Sequence, residues 1–427
     1  MMKQISPLLS KFKSSYLLRD SFWSVFGNGV GNFLLLMAGV LIARFLGKDL
    51  YGEYGMVKTT MFYIAGFASF GLAYSSTKFI AEDISKCAEK VNSIVYSCLK
   101  ISLSFSSLLC IVLFIFAENL AIFVDEPRLT LPFRYLGVII ITRSLANTLN
   151  GLLGGFKEYK HIGVNSIISG GTLFLSGTLF TYLWGLIGSF SALLLSQLIL
   201  CILNSIALYK KTKDFPAKKG DSTKEILIFS LPVAIQELFF VVCNWGVMLV
   251  LTKYASLGDV GVYSAAAQWY AVVLFIPNLL SNVVLSYLSG ENKDNQQYSK
   301  TFKKLLLINI LCAMIPFFMV ALLSGFIASF YGDEFSELGK VLRVLIAGTI
   351  FACAANVYQS DYLARNKNWE LAIIRLIRDF SILISLYVVL INDNNNAAFK
   401  LAIINALVYV IYFLLLHMCN RLTNKGF

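Results

Sequence analysis

Leu46-Gly47-Lys48-Asp49-Leu50-Tyr51-Gly52-Glu53-Tyr54 closes the first long apolar run of this chain, and Leu257-Gly258-Asp259-Val260-Gly261-Val262-Tyr263 closes the seventh. Gly52 and Gly261 are 209 residues apart in a sequence of 427. A second pair of landmarks keeps that offset: Gly154-Gly155-Phe156-Lys157-Glu158-Tyr159-Lys160 follows the fourth run, and Leu363-Ala364-Arg365-Asn366-Lys367-Asn368-Trp369 the tenth. An internal repeat in an apolar chain marks a transporter of two related lobes with a substrate site between them. Six runs per copy bring both copies into the membrane from the same side, so the repeat is parallel.

Charged residues make up 14% of the chain and hydrophobic residues 57%, with a mean hydropathy of +0.71. Soluble domains carry about a quarter charged residues, so the composition is that of a polytopic membrane protein. Roughly 20 apolar residues cross a bilayer as a helix. Twelve such spans are expected, near 21–46, 55–77, 95–117, 131–153, 164–184, 186–209, 226–252, 261–288, 304–331, 341–364, 371–391 and 397–419. They leave an interfacial N-terminal segment (1–20), an N-lobe (21–209), a Lys-rich linker (210–225), a C-lobe (226–419) and a short tail (420–427). The expected fold is all-α, twelve transmembrane helices in two six-helix lobes.

The net charge of +12 is a topology signal rather than a nucleic-acid footprint. With the N-terminus in the cytoplasm, 24 Lys and Arg fall on the inner side, 8 on the outer side and 4 within spans. That bias places both termini inside, and the inner basic residues also suit anionic lipid headgroups. No cleavable signal peptide is expected, and residues 5–18 are expected to lie as an amphipathic helix on the inner surface. The eight Cys are scattered, mostly within spans, and read as small apolar residues. With only His161 and His417, a His-based metal site or catalytic triad is not expected, nor is a cofactor.

The Gly- and Asn-bearing first run leading into "ARFLGKDLYGEYGMV" (43–57), with "SLPVAIQELFF" (230–240) and "SLGDVGVYSAAAQWY" (256–270), resembles the Wzx-type O-antigen and capsule repeat-unit flippases. These form the polysaccharide branch of the multidrug/oligosaccharidyl-lipid/polysaccharide flippase superfamily. The resemblance covers essentially the whole chain, but its local motifs are loose. It implies translocation of an undecaprenyl-pyrophosphate-linked oligosaccharide across the bacterial inner membrane by alternating access. It also implies association with a polysaccharide polymerase and a chain-length regulator.

Charges within spans are costly and usually face a wet cavity or a partner. Arg143 and Glu237 fall near mid-span, Lys58 in the outer third of span two, and Arg375, Arg378 and Asp379 in the inner part of span eleven. Shifting Glu237 back by 209 gives Asn28, which shares a helix face with Asn32; shifting Lys58 forward gives Ala267, beside Gln268. In the superfamily the first two helices of each lobe line the cleft, which makes Asn28, Asn32, Glu237, Lys58 and Gln268 cavity candidates.

Lys58 and Arg143 suit a pyrophosphate or sugar ligand; the rival readings are snorkelling for Lys58 and an internal ion pair or carbonyl contact for Arg143. Glu237 is the candidate for coupling to H+ or Na+, with a structural partnership to Lys58 or Arg143 as its rival. Arg375 and Arg378 are expected to snorkel to the inner surface, balanced by Asp379. Trp245, Trp269 and Tyr270 suit sugar stacking, core packing or an interface belt. The glycines of the first run suit either close helix packing or bending beside a cavity.

Three other functions compete. A multidrug cation antiporter of the same superfamily favours acidic residues in the cavity of the first lobe, whereas the first span has none between Phe22 and Val40 and Lys58 and Arg143 are cationic. A glycan polymerase or glycosyltransferase needs a substantial catalytic loop, and the loops here are short. A passive scramblase is not separable from a coupled transporter on sequence.

Overall fold

The computed structural model describes residues 16–86, 88–213, 215–216, 221–290, 296–365 and 367–424. Most of the N-terminal segment, including the greater part of the expected 5–18 helix, lies outside these residues, as do part of the linker and the end of the tail. The described residues form eleven α-helices: α1 Tyr16–Ala68, α2 Leu72–Lys86, α3 Ala88–Phe123, α4 Thr130–Gly155, α5 Tyr159–Thr212, α6 Thr223–Tyr254, α7 Leu257–Gly290, α8 Gln296–Tyr331, α9 Leu338–Ala364, α10 Asn368–Asn392 and α11 Ala397–Asn424.

Two of these helices hold more than one span. At 1.5 Å per residue the 54 residues of α5 would run about 80 Å, far beyond a hydrocarbon core of roughly 30 Å. α5 breaks at Gly185 (φ 59°), and α1 at Gly47 (φ 73°), left-handed conformations that glycine adopts without steric cost. α5 therefore supplies spans five and six. α1 supplies span one and the first part of span two, which α2 completes after a second break. The remaining helices supply one span each, giving the twelve-span, all-helical membrane fold.

By packing, the chain forms two compact units. The first comprises residues up to Ala38 together with Val57–Val241; the second comprises Gly39–Met56 together with the chain from Val242 onward.

In the first unit α1 and α5 cross through small residues. A Cβ on Gly27 would lie 2.4 Å from Gly163 Cα, and one on Gly170 2.6 Å from the Gly31 carbonyl oxygen. This is close backbone packing of the kind small residues permit in membranes. Polar side chains join the other helices: Asn165 donates to Asn204 and Asn204 to Asn150, both at 2.9 Å, and Ser169 meets Ser196 at 2.9 Å.

The first half of α6 runs antiparallel along span two. Phe240 packs edge-on to Tyr63, Val233 fills the space beside Gly71, Ser230 donates to Ser75 at 2.7 Å, and Phe229 meets Phe79. Ile226 joins the buried core of Leu72, Ile80 and Leu208.

Asn92 of α3 donates to the carbonyls of Phe215 (3.2 Å) and Pro216 (2.8 Å), and Ser93 meets Ser222 at 3.1 Å. Asp221 then starts α6 by accepting from the Thr223 hydroxyl and from its amide at 3.0 Å. These bonds, the hydroxyl first, draw the Asp221 carboxyl down to about 2. A depressed carboxylate stabilises the fold above its unfolded value near 3.9 and loses that effect as pH falls through 2. Protection from hydrogen exchange at the first turn of α6, taken relative to the intrinsic rate at each pH, should therefore fall between pH 4 and pH 2, and Asp221→Ala should show the faster exchange at pH 7.

In the second unit, α10 turns Ile373, Ile377, Ile384 and Ile391 outward in an exposed apolar stripe. Arg378 and Asp379 lie on the other side and do not snorkel to the inner surface. Their side chains are 11% and 8% exposed and pair at 2.8 Å, with the guanidinium 5.4 Å from the Tyr409 ring and 4.9 Å from that of Tyr412. Arg375 donates to Gln359 at 2.9 Å. A buried Arg needs a carboxylate and aromatic faces in place of water, and the interior of this unit supplies both. Trp269 donates to Tyr331 at 3.0 Å, which ties its indole into the helix packing of the unit.

Candidate functional site

Three of the intramembrane charges gather along one face of span two. Lys58, Phe62 and Gly66 recur every fourth residue of α1, so they form a single column about 12 Å long. Lys58 is partly buried at one end of it. Arg143, from α4, lies over the middle: its guanidinium sits 4.8 Å from the Phe62 ring centroid and donates to Gln197 Oε1 of α5 at 3.2 Å. Glu237, from α6, lies at the other end, where a Cβ on Gly66 would be 3.8 Å from its Oε2. The Tyr63–Phe240 ring contact, 5.7 Å between centroids, holds α6 at that register. Phe62 is 43% exposed and the three charged residues are all partly exposed, so the column is open along its length.

The chemistry of the column follows from its order. Arg143 is aimed by an amide oxygen and an aromatic face, neither of which neutralises it, so the guanidinium keeps donors for an anion. The carboxylate of Glu237 lies beside Gly66, one turn of α1 from Phe62, so the column carries its anion at one end and its cations at the middle and the other end.

Span two breaks just inside this column. Phe70 (φ 52°) and Gly71 (φ 67°) adopt left-handed conformations, and the Ser69 hydroxyl donates to the Gly66 carbonyl at 2.6 Å. Gly71 is required twice, because a Cβ there would also lie 2.7 Å from Val233 Cγ1. Irregular backbone at membrane depth is tolerated where protein covers it or a wet cavity meets it.

Asn28 accepts from the Ser166 hydroxyl at 2.9 Å, within the α1–α5 crossing, and Asn32 is exposed on the same helix. Both belong to the first unit with Lys58, Arg143 and Glu237. Gln268 belongs to the second unit, where it donates to the Tyr51 hydroxyl and lies against Gly39. Its Oε1 is buried with no hydrogen-bond partner among the described residues.

Sequence reasoning passed over Phe62, Gln197 and the Ser69–Gly71 break. Gln197 was visible as a lone amide in the run Leu193-Leu194-Leu195-Ser196-Gln197-Leu198-Ile199-Leu200, and Ser69 and Gly71 as small residues inside span two. Phe62 carried no signal, since one aromatic residue among many becomes distinctive only once a guanidinium lies on it.

A putative O-antigen transporter of Shigella flexneri is 22% identical over 371 residues, covering 84% of this chain and 87% of that protein. The succinoglycan biosynthesis transport protein ExoT of Rhizobium meliloti is 26% identical over 276 residues, covering 64% of this chain and 52% of that one. Among solved structures, an inward-facing multidrug resistance MATE transporter of the MOP superfamily superposes with a TM-score of 0.80 at 16% identity, over 92% of this chain and 96% of that one. The lipid II flippase MurJ, in an inward closed conformation, superposes with a TM-score of 0.74 at 17% identity, over 95% of this chain and 87% of that one. These likenesses place the fold with the twelve-helix, two-lobed transporters. Residues 17–289 match the polysaccharide biosynthesis protein family, and the chain belongs to that family.

Proposed function

We propose that this protein is a flippase that moves undecaprenyl-pyrophosphate-linked oligosaccharide repeat units across the bacterial inner membrane for O-antigen or capsule synthesis. Both termini lie in the cytoplasm, and two six-helix lobes, 21–209 and 226–419, alternate access between the leaflets. The observation that carries this reading is the column of Lys58, Arg143 over Phe62, and Glu237 beside Gly66 in a chain of the polysaccharide biosynthesis family. A pyrophosphate is a compact polyanion that Arg binds through paired oxygens and Lys attracts as a point charge. Lys58 and Arg143 take the pyrophosphate, Phe62 offers a ring face to a sugar, and Asn28, Asn32 and Gln268 supply further polar contacts. Glu237 couples the cycle to H+ or Na+.

The test is complementation of a bacterium that lacks its own repeat-unit flippase and makes the matching glycan. Surface polymer is the expected result; none, despite confirmed insertion and lipid-linked glycan on the inner leaflet, overturns the reading in favour of a cation antiporter. In the same strain Lys58→Ala should lower export roughly tenfold, the effect of one charge-assisted contact. Glu237→Gln should abolish the response of export to collapse of the proton or sodium gradient. A variant that still responds assigns coupling to another group.

A further inference from the structure

The repeated motif itself has no part in the column, and its two copies touch each other. A Cβ on Gly52 would lie 2.0 Å from the carbonyl oxygen of Leu257, and one on Gly261 2.1 Å from the carbonyl oxygen of Lys48. Lys48 and Leu257 are themselves 209 residues apart, so one contact is made twice, each copy on the other. Approach this close places a glycine Cα–H against a carbonyl, which no residue with a Cβ allows.

A second contact, one turn further along, places Gly55 against Ser264, whose hydroxyl a Cβ would approach to 2.4 Å. At the break within the first copy, the Lys48 amide donates to Glu334 Oε2 at 2.9 Å and so gains the acceptor that the kink at Gly47 removes. Tyr51 is fully buried and packs edge-on to Phe335, 5.9 Å between centroids.

We propose that the two copies form a latch at the outer end of the protein, one that closes when Gly52 and Gly261 meet and must part for the cargo to leave on the outer side. The assignment of this end as outer, and the need to open it, rest on the transport reading above. The latch is built from backbone rather than side chains, and for that reason both copies retain glycine at the equivalent position. A bulkier residue at either position holds it open; a covalent bridge across it holds it shut.

Two measurements test this. Ser264→Cys, buried under Gly55, should react slowly with a membrane-impermeant maleimide added from outside, above the background of the parent protein. Adding Gly52→Val should raise that rate roughly tenfold, since overpacking a tight contact shifts a two-state equilibrium by about that factor. An unchanged rate in inserted protein overturns the latch. Should Gly52→Val fail to accumulate, the pair Asp49→Cys and Gly258→Cys replaces it, because a Cβ on Gly258 lies 2.8 Å from Asp49 Oδ1. Oxidation of that pair should stop export and reduction restore it; export that continues through a complete cross-link overturns the proposal. The labelling rate is independent of cargo, so a protein that exports no glycan but shows the labelling change keeps the latch and rejects the flippase.

Discussion

Arg143→Ala is expected to reduce surface polymer by about 10- to 100-fold while leaving insertion and thermal stability intact. Hydrogen bonds to a charged group contribute about 1.5–3 kcal/mol each, and loss of one from a bound pyrophosphate gives that range. The expectation of intact folding follows from how Arg143 is held. Its partners are a neutral amide oxygen and a ring face, so removing it strands no buried carboxylate. Arg143→Lys should recover part of the activity, because charge is kept and the planar fork is lost. Gln197→Ala should have a smaller effect than Arg143→Ala, since it loosens the aim of the guanidinium without removing it. Full export by Arg143→Ala, measured as surface polymer in the complemented strain, would show that the guanidinium does not contact cargo.

The largest loss of stability is expected from Asp361→Ala. The carboxylate is 1% exposed, accepts from the Tyr298 hydroxyl, and takes the Arg365 Nε and the Asn420 amide at 3.0 Å each. It thereby joins the start of α8 to the last turns of α9 and α11. Removing it takes away the carboxylate that Arg365, 5.1 Å from the Tyr298 ring, meets at 3.0 Å, and breaking such a pair costs about 3–5 kcal/mol. Thermal unfolding in detergent should show a marked drop for Asp361→Ala and a smaller one for Asp361→Asn, which keeps one acceptor oxygen. Equal unfolding temperatures for all three proteins would mean that the network adds nothing to stability.

Spans and repeat were legible because hydropathy and spacing are one-dimensional properties, and a kink such as Gly47 or Gly185 does not alter them. Packing direction was not legible. Arg378 and Asp379 sit in the first half of span eleven, where snorkelling is a common expectation, and nothing in the sequence says that Tyr409 and Tyr412 from another helix enclose them. Asp361 escaped notice because it lies near the end of its span, where a carboxylate is unremarkable until its three donors are known. The offset of 209 relates Lys58 to the neighbourhood of Gln268, yet an offset says nothing of what each packs against, and the two belong to different units. Gly27 and Gly31 suited packing better than bending, and the distances to Gly163 and Ser166 identify a tight crossing.

The boundaries of the two units fall inside helices, after Ala38, Met56 and Val241, rather than in loops. This has a consequence for biogenesis. Residues 39–56 leave the ribosome long before the helices they pack on, and the core of the first unit lacks Ile226 until α6 has been made. Neither unit can be completed while the chain is half synthesised, so early spans must wait in the bilayer with unfilled faces. A gene divided in the linker should therefore yield two fragments that are each unstable when made alone and stable when made together.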